Sequence, residues 1–182
     1  GGYIASDLLD QGFRVRGTVR NVDQHPDLVE MQSKVNDGTD IRFSMHSADL
    51  TSDAGWDVAA TGCDYVIHTA SPFPTVAPRR ATDVIQPARE GTKRVLRAAH
   101  QAGVKRVVLT SSVAATNHGA GKAPYSEIDW TDVNGRRATA YYQSKTLAEQ
   151  DAWDFARANL IELSVINPGV IRNFGRLPSL SG

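Results

Sequence analysis

The sequence predicts an α/β fold of the Rossmann type, a doubly wound parallel sheet with helices on both faces. Three observations predict it. Short β-branched or alternating runs take turns with segments of helical period along the whole chain. A glycine, Gly2, stands at the start of the first helical segment. Glycines also follow helical segments at Gly12 and Gly103, where a residue free of Cβ most easily leaves a helix.

Taken in order, Tyr3 to Gln11 is an amphipathic helix with Ile4, Ala5, Leu8 and Leu9 on one side. Phe13 to Val19 alternates and predicts a strand. Leu28 to Val35 predicts a short helix, and Ile41 to Met45 a second strand. Tyr65 to Thr69 is a short apolar strand. Val84 to Ala102 is a long helix with Val84, Ala88, Thr92, Val95 and Ala99 at helical spacing. Its Pro87 is expected in the first turn or at a break. Val104 to Leu109 is strongly β-branched, Ala138 to Asn159 is helical, and Ile161 to Ile166 is the last strand, closed by Asn167-Pro168-Gly169. No repeat, low-complexity tract or linker interrupts this, so residues 1–182 are expected to form one domain.

Composition excludes several classes. Lys+Arg and Asp+Glu are both 20, so bulk charge gives no nucleic-acid or membrane-surface role. The single Cys63 rules out an internal disulfide framework and a cysteine zinc cage, and fits a reducing, cytoplasmic setting. No apolar run is long enough to cross a membrane as a helix. The histidines lack metal-ligand spacing, so no metal site is expected. Neither a methionine nor a strand precedes Gly1. The chain is therefore expected to be a piece of a longer protein that lacks the first strand and part of the glycine loop.

The chemistry concentrates in three places. Tyr141 and Lys145 are four residues apart, on one face of a helix. A phenol is a poor proton donor or acceptor near neutrality unless a cation stabilises its phenolate, and Lys145 is placed to do so. Tyr142 lies three residues from Lys145 and is the competing choice. The Lys105 to Ser112 run ends in two serines, and a hydroxyl there can hold a substrate oxygen against the phenol; Ser111 competes with Ser112. Together these are the parts of a carbonyl–alcohol redox enzyme, and a surface Tyr/Lys pair is the plain alternative. The start of the first helix, Gly2 with Tyr3 and Ile4, offers backbone N–H groups to a pyrophosphate, or is an ordinary helix start. The first strand ends at Thr18-Val-Arg20 with no carboxylate, so Arg20 can clamp a 2′-phosphate. That favours NADP, while Asp23 close by keeps NAD possible. His68 lies within a buried strand and is taken as structural rather than as a base.

Several stretches together resemble the extended short-chain dehydrogenase/reductase family, in its branch of dihydroflavonol-4-reductase-like enzymes and NADPH-dependent aldehyde and ketone reductases. They are Arg16-Gly-Thr-Val-Arg20, Ala48-Asp-Leu-Thr51 with Gly55-Trp-Asp57, Gly62 to Phe73, Arg89-Glu-Gly-Thr92, Thr110-Ser-Ser112, Tyr141 to Trp153, and Asn167-Pro-Gly169. Three departures stand out. Only Gly2 and Ala5 remain of the family's glycine fingerprint. The sequence after Val170 is Ile171-Arg-Asn-Phe-Gly-Arg176 rather than a second Gly-Pro. The C-terminal substrate region is absent. The piece is therefore expected to be inactive by itself.

The resemblance implies Ser112, Tyr141 and Lys145 as the catalytic set, with Lys145 also on the nicotinamide ribose. It implies Asp49 and Leu50 beside the adenine, where Asp49 or Thr51 could equally be a helix N-cap. Thr69-Ala-Ser71 would pass the phosphates and ribose, and Pro168 and Val170 would flank the nicotinamide. The implied partner is a small-molecule carbonyl substrate, with oligomeric state open. Two alternatives remain. A nucleotide-sugar epimerase or dehydratase usually carries Tyr-Gly after the serine strand, where this chain has Val113-Ala-Ala-Thr116. A non-catalytic dinucleotide-sensing module tends to lose the Tyr or Lys that this chain keeps.

Overall fold

The computed structural model describes residues 1–73, 78–118 and 123–169. They form two compact units. The first comprises Gly1–Asp49 and Asp53–Ala59; the second comprises Leu50–Ser52 and the described residues from Ala60 onward.

In the first unit, α1 (Gly2–Asp10) leads to β1 (Val15–Val19), then a 3-10 turn at Val22–Gln24, α2 (Pro26–Val35) and β2 (Phe43–Ser47). β1 and β2 pair in parallel, from Val15 opposite Phe43 to Val19 opposite Ser47. Phe43 and Leu9 are buried, and the Phe43 ring lies where a side chain on Gly17 would touch it.

Both strands start two residues later than the alternation predicts, for local reasons. The Phe13 amide bonds back to the Leu8 carbonyl at 2.9 Å and closes α1, which leaves the Phe13 ring exposed. Asn36 holds the entry to β2. Its Oδ1 accepts from the Arg42 and Phe43 amides at 2.9 Å each, and its Nδ2 donates to the Phe43 carbonyl at 2.8 Å. α2 starts earlier than predicted, with Pro26 in its first turn, where a missing N–H costs nothing.

A short helix, α3 (Trp56–Ala60), is absent from the prediction. Five residues are too few to show a period. Its cause is tertiary. Gly55 has φ +89°, and a Cβ there would fall 2.1 Å from the Ser47 carbonyl oxygen. Trp56 is buried and its Nε1 donates to the Asp49 carbonyl at 3.0 Å.

In the second unit, β3 (Tyr65–His68), β4 (Arg106–Thr110) and β5 (Glu162–Ile166) form a three-stranded parallel sheet in the order β3-β4-β5. α4 (Thr82–Gln101) connects β3 to β4, and α5 (Ala140–Asn159) lies between β4 and β5. This is the helical crossover that parallel pairing requires. Leu96 and Ala99 of α4, Val104, Val107 and Leu109 at β4, and Ala152 of α5 make the core. α4 runs through Pro87, which sits in its second turn and neither ends nor breaks it. α5 begins at Ala140 because Thr139 caps it, its side chain accepting from the Tyr142 amide.

α4 and α5 are joined by charge as well as packing. Arg89 donates twice to Asp151, at 2.6 and 2.8 Å, and Lys93 approaches the same carboxylate at 3.3 Å. Burial pushes the Asp151 carboxyl up, but hydrogen bonds and charge from Arg89 and Lys93 outweigh it and hold it below its usual range.

Gly91 explains a glycine in the middle of α4. A Cβ there would lie 2.7 Å from Leu50 Cδ2 and 2.8 Å from Leu50 Cβ, and the second atom cannot swing away. Gly91→Ala should therefore destabilise the protein by about 1–3 kcal/mol despite its better helix propensity. Denaturant unfolding measures this, and an alanine variant as stable as the parent would contradict the close packing.

Candidate active site

β4 delivers Ser111 and Ser112 at its C-terminal end. Successive residues of extended chain face opposite ways. Ser111 therefore shares the face of buried Val107 and Leu109, and its Oγ is buried with no hydrogen-bond partner among the described residues. Ser112 faces the other way. It is extended and caps the 3-10 turn Val113–Ala115, its Oγ accepting from the Ala114 amide at 3.1 Å. Because that oxygen accepts, its own hydrogen is left to donate to a ligand oxygen.

α5 carries Tyr141 and Lys145. Lys145 is only 8% exposed, and its Nζ lies 5.9 Å from the centre of the Tyr141 ring. Among the described residues its ammonium makes no hydrogen bond or ion pair. Burial holds the Lys145 pKa below the ordinary lysine value, and the charge of Glu149, one turn on, partly counters this.

The two tyrosines part company here. Tyr141 stands edge-on to Phe73 at 5.4 Å and beside Lys145, whereas Tyr142 stacks on His118 at 4.5 Å. The Phe73 contact brings the Thr69-Ala-Ser71 segment, which follows β3, to the Tyr141 side of the unit. Pro168 accepts from the Val113 amide at 3.1 Å, so the segment after β5 is tied to the serine turn. Val170 lies outside the described residues.

Sequence reasoning missed a polar link behind these groups. Asn167 Nδ2 donates to the Ser112 carbonyl at 3.1 Å and to Glu149 Oε2 at 2.8 Å. Both neighbours are acceptors, which fixes the amide orientation. Glu149 is buried, and its Oε1 accepts from Trp153 Nε1 at 3.4 Å. The signal was present as a glutamate four residues after Lys145, on the same helix face, but only the folded chain brings Asn167 to it.

His68 is buried on β3. Desolvation and the positive charge of Lys145 lower its pKa to about 4, so it is neutral at pH 7 and ill-suited to act as a base there.

In the first unit, Gly2 is the first residue of α1, and Gly1 caps the helix through its backbone alone. The first turn, with Gly2, Tyr3 and Ile4, therefore presents N–H groups without intrahelical acceptors. Arg20 is exposed just past β1, with no partner among the described residues. Asp49 follows β2, and its carbonyl receives the Trp56 indole. Leu50, in the second unit, packs on Gly91, and its carbonyl accepts from Arg94 at 2.7 Å. Neither Asp49 nor Thr51 starts a regular helix, the next one being α3 at Trp56. Within the first unit the helix-start amides and the exposed Arg20 guanidinium are donors suited to phosphate oxygens. Within the second, the buried Lys145 ammonium is a donor suited to hydroxyl oxygens.

Parallel strands joined by helices, with Ser112 just past the end of β4 and Tyr141 and Lys145 on α5, place the chain in the class of Rossmann-type α/β proteins. The profile of the NAD dependent epimerase/dehydratase family matches residues 1–178, and the chain belongs to that family. Cinnamoyl-CoA reductase 2 of Arabidopsis thaliana is 40% identical over 182 residues, covering 94% of this chain and 52% of that protein. Dihydroflavonol 4-reductase of Hordeum vulgare is 34% identical over 194 residues, covering 99% and 53% respectively. Among solved structures, yeast methylglyoxal/isovaleraldehyde reductase Gre2, complexed with NADPH, superposes with a TM-score of 0.77 at 28% identity. That match covers 92% of this chain and 54% of that one. The chain thus spans about half the length of the curated relatives it matches. The Rossmann-type class expected from the sequence agrees with these likenesses.

The buried imidazole has a consequence for stability. Its folded pKa of about 4 lies below the unfolded value of 6.5, so the unfolded chain binds the proton more readily in between. Stability is therefore lost as pH falls from about 6.5 toward 4, by on the order of 3 kcal/mol from this group. Substituting His68→Asn should flatten that part of the stability–pH curve. A variant with the same acid slope as the parent would show that His68 does not carry it.

Proposed function

We propose that this chain is the cofactor-binding and catalytic part of an NADPH-dependent reductase that converts an aldehyde or ketone to an alcohol in the cytoplasm. One observation carries the reading. A buried ammonium with no hydrogen bond or ion pair among the described residues, Lys145, lies one helical turn from Tyr141 and beside its ring. A structural lysine would be exposed or paired. The two curated relatives above are named as reductases, and so is Gre2, whose structure holds NADPH; all three support the same reading.

When bound, NADPH supplies the hydride that adds to the carbonyl carbon. The chain does the rest. The Ser112 hydroxyl donates to the carbonyl oxygen and orients it. Tyr141 gives that oxygen its proton as negative charge develops, leaving a phenolate that Lys145 stabilises and solvent reprotonates. Lys145 also binds the nicotinamide ribose hydroxyls. Arg20 takes the 2′-phosphate; Gly2, Tyr3 and Ile4 take the pyrophosphate; Asp49 and Leu50 border the adenine. Thr69, Ala70, Ser71 and Pro168 would line the remainder, and the family resemblance assigns Val170, outside the described residues, to the nicotinamide.

In the full-length protein, Tyr141→Phe should lower turnover by about 10²–10⁴-fold while NADPH binding stays within a few fold. Steady-state kinetics against a panel of aldehydes, ketones and nucleotide sugars reads this. A Phe variant keeping more than about a tenth of the rate would sink the assignment. Turnover of a nucleotide sugar alone would instead favour epimerase or dehydratase chemistry.

Arg20→Gln should weaken NADPH selectively and leave NADH nearly untouched, because only the former carries the 2′-phosphate. Fluorescence titration with both cofactors decides it. Equal losses would mean that Arg20 does not read that phosphate.

A further inference from the structure

We propose that Asn167 and Glu149 are a positioning pair that sets the serine strand end against the helix bearing Tyr141 and Lys145. The inference rests on the catalytic reading of Ser112, Tyr141 and Lys145 given above. Asn167, one residue past β5, spends one amide hydrogen on the Ser112 carbonyl and the other on Glu149. Glu149 is 4% exposed and rigid on α5, and Trp153 holds its second oxygen. One side chain thus fixes the distance between the turn that aims Ser112 and the helix that aims the phenol and the ammonium. A buried carboxylate in a reductase core costs stability unless it is used. Here it has two donors and acts through space on Lys145.

Among the described residues, three titratable groups act on Lys145 or are acted on by it. Tyr141 and Glu149 lie on its own helix, and neutral His68 lies on β3. Glu149 is the negative charge that favours protonated Lys145. Removing that charge without removing the acceptor therefore separates two jobs. Glu149→Gln can still receive the Asn167 amide through its one oxygen and gives up only the longer 3.4 Å contact from Trp153, so alignment survives while the charge is lost. Asn167→Ala loses the alignment and keeps the charge.

The test uses the full-length protein with NADPH and an aldehyde it turns over. Asn167→Ala should lower kcat by about tenfold or more, with KM for NADPH within about threefold, because misalignment acts on the reacting geometry. Glu149→Gln should keep kcat at its optimum within about threefold, and its alkaline fall in rate should move about one pH unit lower. A folded Asn167→Ala variant with parental kcat overturns the inference, and so does a Glu149→Gln pH profile superimposable on the parent. If Asn167→Ala does not fold, the Glu149→Gln profile decides alone. Tyr141→Phe runs beside them. Retained turnover there marks failure of the catalytic reading, whereas its loss, with Asn167→Ala and Glu149→Gln behaving as the parent, marks failure of this inference only.

Discussion

The ammonium of Lys145 is nearly buried, and among the described residues nothing is hydrogen-bonded to it. Taking a cation out of water is expensive, and a protein tolerates it where something offsets the cost. Two features do so here. The face of the Tyr141 ring lies within reach of a cation–π attraction, and Glu149 supplies a negative charge one turn away. Neither saturates the three donors of the ammonium. The neighbouring imidazole, His68, stays neutral, since burial disfavours its charged form and a second positive charge in that space would be repelled. The site is thus left short of acceptors, a state that polar hydroxyls of a ligand would relieve.

That arrangement depends on how α4 and α5 are held. Small residues along both, with Gly91 seated on Leu50, let helices and strand ends approach closely. The bidentate Arg89–Asp151 pair ties α5 to α4 at a defined register. The core of Leu96, Ala99, Val107, Leu109 and Ala152 then sets the height of α5 over β4. Once the height and register of α5 are set, the position of Lys145 relative to the Ser112 turn follows. Asn167 ties the last degree of freedom.

Much of this was legible in the sequence, and the limits are physical. The β-branched run before Ser112 and the long periods of α4 and α5 were readable because burial on one face imposes a period. The Tyr141/Lys145 relation was readable because both lie on one helix. Strand starts were not, because Phe13 and Asn36 settle them with individual hydrogen bonds. α3 was hidden because it depends on Gly55 meeting Ser47 and on Trp56 meeting Asp49. Pro87 was misjudged because tertiary packing carries α4 through it. The Glu149–Asn167 link joins residues eighteen apart on different elements, and no local pattern announces it. Ser111 and Ser112 were indistinguishable as neighbours in sequence; the folded chain separates them, Ser111 on the buried Val107 and Leu109 face and Ser112 on the other.

The most direct measurement is a titration of the lysine side chains by NMR, with isotope-labelled lysine and a Lys145→Met variant to assign the signal. Lys145 should titrate below 10.5, and Lys105, whose pairing with Asp64 raises its pKa, should titrate above it in the same spectrum. A Lys145 signal at or above 10.5 would mean that its ammonium is solvated or already paired, and the account of a buried, ligand-awaiting cation would be contradicted.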